Sequence, residues 1–391
     1  MAKGDIAAYR IETITATGAG LTRQDGRCIF AEFTAPGELV KLRITEEQKG
    51  WAKAEVLELL EPSPQRIEPL CPLYRVCGGC NFQHLDYKAQ LEAKESILKE
   101  AFGRTGSLAV PKIRIVASIN PWEYRNRVQF HCLPENRKIP GFREKNGKKI
   151  IPLSDCPVAD PGIRAALQEE KARLVPPPEK DRFTVYSKGD LFLSEGGNSR
   201  GSVYIGKNEA QELCLDAGVF FQSNFQMLEL LLEDLKILAA KCDSDLPLGD
   251  IYCGVGTFSS FLGDRFRQAE LVEENMAALD LARKNVRIKD SRFYGLKAEA
   301  WTKSRKPLKP WGLLLVDPPR TGLSGPLLRF LATVKVETLA YVSCDPVTLA
   351  RDSKVLAGSG LVLKELTLYD FYPQTAHIES LAVFQKENVN E

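Results

Sequence analysis

What the sequence lacks narrows its class first. No run approaches the roughly 20 consecutive apolar residues of a membrane-spanning helix. The opening MAKGDIAAYRIETI has no apolar stretch of the kind a secretory signal carries, so a cytoplasmic protein is expected. There is no internal repeat and no low-complexity tract. Net charge is only +2, which taken alone argues against a nucleic-acid partner. No Gly-x-Gly-x-x-Gly is present, which disfavours a flavin or other dinucleotide cofactor.

What is present is unevenly placed. The chain has 10 cysteines, which stay reduced in the cytoplasm, so a disulfide framework is not expected. Seven are scattered singly, as small buried hydrophobes often are. Cys71, Cys77 and Cys80 instead cluster in CPLYRVCGGC, and a cluster in a reducing compartment points to metal. From Lys99 to Ile150 there are 12 Lys or Arg against 4 Glu, an electrostatic footprint for phosphate inside a near-neutral chain.

With 391 residues, two or three domains are expected. Short β-branched and aromatic runs separated by TGAG, RQDG and APGE predict a small OB-like barrel over residues 1–62. EPSPQRIEP follows as a connector. Residues 63–213 read as a mostly-β central domain that carries the cysteine cluster and one amphipathic helix, DYKAQLEAKESILKEAFGRTG. From 214 to 391 helices alternate with strands, which predicts an α/β fold with a doubly wound, mostly parallel sheet. The closing pair LVLKELTLYD and ESLAVFQK has no helix between, so an antiparallel strand at the sheet edge is expected.

Several motifs sit where such sheets bind ligands. In DIYCGVGTF a strand ends near Asp250 and opens into Gly254 and Gly256 before a helix, letting the backbone approach a ligand closely. Glu273 ends the next strand, where an acid can hold ribose hydroxyls. With no third glycine for a pyrophosphate, this fits S-adenosylmethionine better than a dinucleotide. LLLVDPPR places Asp317 at the end of a buried strand. Arg320 follows, where enzymes that methylate base amines carry an aromatic residue. In YVSCDPVTLARD, Cys344 precedes a helix, whose N-terminus favours thiolate. HIES supplies Glu379, a candidate general base. A thiolate, a base and a sulfonium donor together describe methylation at C5 of a pyrimidine. Addition of the thiolate at C6 makes C5 nucleophilic, and the base then removes the C5 proton.

These motifs, with YRNRVQF, SDCPV and FFQSN in the same order, resemble the RNA uracil-C5 methyltransferases of the RumA/TrmA type over essentially the whole chain. The resemblance implies a class I, Rossmann-like methyltransferase domain, an N-terminal RNA-binding TRAM barrel and a central iron-sulfur domain. It implies Cys344 as nucleophile and Glu379 as base. Asp317 and Gln222 would hold the uracil and the site around it. Phe220, Gln222, Asp250, Tyr252, Gly254, Gly256, Glu273 and Asp317 would serve the S-adenosylmethionine site. It implies Cys156 as fourth ligand beside Cys71, Cys77 and Cys80, a set suited to a [4Fe-4S] cluster, with zinc as the alternative. The implied partner is RNA, ribosomal rather than transfer RNA, with no membrane and a monomeric enzyme. Three positions depart from the family pattern: Ser223, Asp345 and Lys297, the last leaving the adenine contact unassigned. A non-catalytic RNA-binding relative would have lost Cys344 or Glu379, and both are present. A cytosine-C5 enzyme would carry its cysteine in a Pro-Cys context that is absent here.

Overall fold

The computed structural model describes residues 2–106, 108–169, 171–206, 211–304 and 310–386. The chain forms two compact units. The first takes Met1–Leu98, Gly141–Pro152 and Tyr372–His377; the second takes Lys99–Pro140, Leu153–Phe371 and Ile378–Glu391. Among the described residues no helix is long and apolar enough to cross a membrane.

In the first unit, strands Ile6–Arg10, Thr13–Ile14, Ala19–Gln24, Arg27–Glu32, Leu39–Gln48 and Trp51–Glu61 form one six-stranded sheet. Alternation sends one face inward, where Ile11, Ile29, Val40, Leu42 and Ile44 pack together. The RQDG turn is a tight hairpin, with Asp25 and Gly26 both at positive φ (50° and 76°), the geometry that suits an Asp-Gly pair. The Pro-rich connector is tied down. Arg66 donates to the buried Glu38 carboxylate at 2.8 Å and to Phe33 O at 2.8 Å. The predicted amphipathic helix runs Tyr87–Ala101, of which the first unit takes the part up to Leu98, and ends in a π-helical turn, Phe102–Gly106, that belongs to the second.

The second unit is built on an eight-stranded sheet. Its order is Asp290–Tyr294, Gln268–Val272, Leu248–Ile251, Trp311–Val316, Val336–Ser343, Glu379–Lys386, Leu361–Tyr369 and Arg114–Val116. The first five are mutually parallel. Trp311–Val316 is buried at every residue, as a central strand covered on both faces must be. Helix Phe225–Ala240 starts at Asn224, whose side chain accepts the Met227 N–H.

Two expectations need correction. The antiparallel strand, Glu379–Lys386, is not at the edge. It inserts between Val336–Ser343 and Leu361–Tyr369 and pairs antiparallel with both. The hairpin folds its second arm inward, where a strand buried from Glu379 to Phe384 finds cover. The edge is Arg114–Val116, which pairs in parallel with Leu361–Tyr369 although its sequence lies far upstream. The strand Gln211–Asp216 also runs without a break across the expected boundary between residues 213 and 214.

Candidate active site

Register decides which side chains meet. Ile251 pairs with Val316, Val316 with Tyr341, and Ser343 with Ser380. Asp317 therefore follows one strand end and Cys344 follows the next. Glu379 begins the antiparallel neighbour at the same end of the sheet. This is the carboxyl edge of the parallel strands, where α/β sheets bind ligands.

Asp317 raises both Glu379 and Cys344, and Glu379 also raises Cys344. Burial pushes the Cys344 thiol up to about 12, and Glu379 and Asp317 add to the rise while Arg320 opposes it. Burial raises Glu379 well above the ordinary carboxylate range, and Asp317 raises it further. Asp317 is pushed up to about 7 by burial and by Asp250. Asp250, fully buried, is pushed up to about 6. Its Oδ2 accepts the Ser259 hydroxyl at 2.6 Å, and its Oδ1 has no hydrogen-bond partner among the described residues.

The expectation that the helix N-terminus would favour thiolate at Cys344 is thus reversed. The reason lies in the next residue. Asp345 caps helix Pro346–Gly358, its Oδ1 accepting the Val347 and Thr348 N–H groups at 3.0 and 2.8 Å. Those amides face the cap, and Asp345 itself adds to the rise at the thiol.

The DIYCGVGTF turn is built as expected. Tyr252, Gly254 and Gly256 all take positive φ (68°, 54° and 78°). At Gly256 a Cβ would lie 2.8 Å from Val286 Cγ2, so the glycine is needed for packing as well as for its backbone. Glu273 is fixed by two backbone donors, Gly254 N–H at 3.1 Å and Asn275 N–H at 2.7 Å. Tyr252 and Glu273 line a cavity of about 470 Å³ together with Glu299, Lys297, Leu323 and Arg351. Glu299 and Arg351 have no signal in the sequence beyond being charged. Neither Phe220 nor Gln222 is among the cavity's lining residues.

FFQSN turns inward after its first residue: Phe221, Gln222, Ser223 and Asn224 are all buried. Phe220 is 59% exposed, with the Arg127 guanidinium 5.4 Å from its ring centre. Phe221 packs edge-on against Tyr186, and Gln222 is buried. Asn126, in YRNRVQF, braces this segment. Its N–H donates to Ser223 O at 2.9 Å, and its Oδ1 accepts the Phe225 N–H at 3.0 Å. In the sequence that motif speaks through its arginines, and the asparagine between them carries no signal of its own.

In the first unit the cysteine loop is held by backbone. Gly78 N–H donates to Arg143 O at 3.1 Å, and Lys145 N–H to Val76 O at 2.9 Å. The Gly79 N–H points at Cys77 Sγ, 3.4 Å away. Cys71, Cys77 and Cys80 are half-buried there, and Cys156 is half-buried in the second unit. Among the described residues no group of three or more His, Cys, Asp or Glu is gathered to hold a metal. The basic stretch is partly neutralised: Arg104 pairs with Glu100, Arg114 with Asp234, Arg137 with Asp181 and Lys145 with Glu32.

The tRNA (Uracil-5-)-methyltransferase family model matches residues 214–387. An RNA methyltransferase of Treponema denticola is 32% identical, over 93% of this chain and 95% of its own. A protein of Shewanella halifaxensis, 23S rRNA (uracil(1939)-C(5))-methyltransferase RlmD, is 30% identical over 97% of this chain and 96% of its own. The crystal structure of Pyrococcus abyssi tRNA (uracil-54, C5)-methyltransferase with S-adenosyl-L-homocysteine has the same fold. Its TM-score is 0.73 at 24% identity, covering 96% of this chain and 99% of that one. With the sheet, its carboxyl-edge residues and these full-length likenesses in place, the chain belongs to the RNA uracil-C5 methyltransferases.

Proposed function

We propose that this enzyme methylates C5 of a uridine in 23S ribosomal RNA, with Cys344 as nucleophile and Glu379 as base. The observation that carries the mechanism is the placement of Cys344, Asp317 and Glu379 at one end of adjacent strands, with both carboxyls close enough to raise the thiol. The ribosomal substrate rests on relatives of matching length whose names specify it, such as that of Shewanella halifaxensis.

Because its surroundings hold it up to about 12, the thiol must first give its proton to solvent, which its half-buried position allows. Sulfur then bonds to C6, and the C5=C6 electron pair moves onto the ring carbonyl as an enolate. The donor, S-adenosylmethionine, supplies a methyl group on a cationic sulfur. C5 attacks that methyl as the methyl–sulfur bond breaks, leaving the donor as a neutral thioether. Glu379 then removes the C5 proton, the C5–H electrons restore the double bond, and sulfur leaves C6 as thiolate. Asp317 and Gln222 hold the uracil, and the polar cavity at Tyr252 and Glu273 takes the donor's nucleoside. Asp250, Gly254 and Gly256 shape the turn beside it. Glu299, on the same cavity wall as Lys297, is the acid available to the adenine amine. Phe220, exposed beside Arg127, is assigned to the RNA.

Four thiols suit an iron-sulfur cluster in donor chemistry, and the Gly79 amide already aims at one sulfur. Cys71, Cys77, Cys80 and Cys156 would hold it, and no step of the methyl transfer needs it. The N-terminal sheet is read as the TRAM barrel.

The test is Glu379→Gln incubated with donor and ribosomal RNA. Addition and methyl transfer proceed, and release slows by ~10²–10⁴-fold as expected for loss of a general base. A denaturation-resistant protein–RNA band carrying the methyl group is expected, and Cys344→Ala should remove it. Turnover at the parent rate would show that Glu379 is not the base. Mapping 5-methyluridine in rRNA and tRNA from a deletion strain decides the substrate.

A further inference from the structure

The segment Tyr372–His377 ends two residues before Glu379 in the chain. It belongs to the first unit, and it is secured there by more than its own turn. Internally, the Thr375 hydroxyl donates to Tyr372 O at 2.8 Å, and the His377 N–H to Thr375 Oγ1 at 3.2 Å. The N–H groups of Asn81 and Phe82 both donate to Gln374 O, at 3.1 and 2.9 Å. Asn81 Oδ1 accepts the Ala376 N–H at 2.9 Å. Gln374 and Gln90 exchange two bonds: the Gln374 N–H donates to Gln90 Oε1 at 2.8 Å, and Gln90 Nε2 donates to Gln374 Oε1 at 3.0 Å. Lys94 Nζ donates to Tyr372 O at 2.9 Å.

The clamp is itself braced. Asn81 Nδ2 donates to Thr17 O at 3.0 Å, which orients its amide. Gly18 makes room for that amide, because a Cβ there would sit 2.2 Å from Asn81 Nδ2. Gln374 is buried and sits at φ 68°, a left-handed conformation that a non-glycine residue keeps only where its surroundings enforce it. Hydrogen bonds from the Asn81, Gln90 and Lys94 side chains and from two backbone amides thus converge on the segment that leads into the base.

We propose that Asn81 and Gln90 are positioning residues for proton abstraction, fixing the approach of the chain to Glu379. The inference rests on the reading of Glu379 as base. Cys344 reaches the site on a different strand, so loosening the clamp leaves addition and methyl transfer intact. It slows only the step in which the C5 proton goes to Glu379 and the carbon–sulfur bond breaks. A displacement of about 1 Å in a reacting group costs on the order of 10²-fold in rate.

The experiment uses the full chain with S-adenosylmethionine and ribosomal RNA from a deletion strain. Asn81→Ala and Gln90→Met are compared with the parent in single-turnover reactions that follow adduct formation and adduct release separately. Adduct formation is expected within about threefold of the parent, and release roughly 10- to 10²-fold slower, so methylated adduct accumulates. Asn81→Asp keeps an acceptor for the Ala376 N–H and should recover most of the release rate. Gln90→Met and Asn81→Asp decide the matter by the same two rates if Asn81→Ala does not fold. Glu379→Gln runs alongside: if it builds no adduct, the base reading fails. If it does, and the clamp variants release at the parent rate or lose formation and release equally, the positioning inference is overturned.

Discussion

Cys344 and the loop cysteines Cys71, Cys77 and Cys80 share a functional group and little else. Around Cys344 the structure gathers Glu379, Asp317 and Asp345, and the nearest helix amides are already taken by the Asp345 cap. In the first unit the cysteine loop bonds to a hairpin that carries Arg143, Lys145, Lys148 and Lys149 against one acid, Glu144, which lies opposite Cys77, and a loop amide points at a sulfur. Acidic neighbours keep a thiol protonated; basic neighbours and amide donors favour the thiolate that metals bind. The difference teaches that the nucleophile proposed here is held protonated at rest. A thiol kept protonated until the substrate arrives is protected from alkylation and oxidation, which follow thiolate character.

The comparison breaks most visibly at the loop. Anaerobically purified protein should carry about four irons and four acid-labile sulfides per chain. Cys80→Ser should lose most of that metal while leaving the Cys344 chemistry competent. Stoichiometric zinc without sulfide would assign the loop to a different metal.

Next in size is the RNA footprint. Reversing Arg125, Arg127 and Arg143 should weaken RNA binding and flatten the salt dependence by about 0.7–0.9 in log–log slope for each phosphate no longer neutralised. Because several basic groups of the stretch are already paired, reversing Arg104 or Arg114 should change the slope less. A slope unchanged by the triple reversal places the footprint elsewhere.

The acidic setting of Cys344 sharpens the contrast. Its alkylation by iodoacetamide in the substrate-free protein should be slow near neutral pH and climb steeply in alkaline buffer. Glu379→Gln removes a group that raises the thiol, so labelling should quicken by about tenfold for each pKa unit recovered. Asp345→Asn, a smaller contributor, should give a smaller rise. Labelling at the rate of an ordinary exposed thiol in the parent would overturn this picture.

The smallest effect is on stability. Asp250 has a folded-state value raised to about 6. A raised carboxyl contributes stability that is present below its unfolded value and lost as pH rises through the folded one. The window therefore runs from about pH 4 to about pH 6. Asp250→Asn should gain melting temperature over the parent progressively across that window. A difference that stays flat throughout would show that Asp250 does not change its charge there.

Much of this was legible in the residues. Alternating helices and strands after residue 214 announced the parallel sheet. The strand-end positions of Asp317 and Cys344 followed from where each apolar run stopped, and that of Glu379 from where the last one began. Three things were not legible, for physical reasons. Strand order within a sheet depends on pairing between distant segments, so neither the inward place of Glu379–Lys386 nor the recruitment of Arg114–Val116 had a local signal. The protonation of Cys344 depends on neighbours from other strands, and local reasoning saw only the helix that follows it. Asn126 and Asn81 bond to segments far along the chain, and a polar residue in a loop motif gives no hint of its partner.

The inward place of Glu379–Lys386 sets synthesis order against sheet order. Among the described strands it is the last to be made, yet both its neighbours need it to pair. A nascent chain lacking it has a gap in the middle of its sheet, with two strand edges open. It also lacks Glu379, the base proposed above. Under the proposed mechanism such a chain can present Cys344 but cannot resolve an adduct, so a molecule truncated before this strand should be at once unstable and unable to turn over. The strand that completes the sheet is also the one that carries the proposed base.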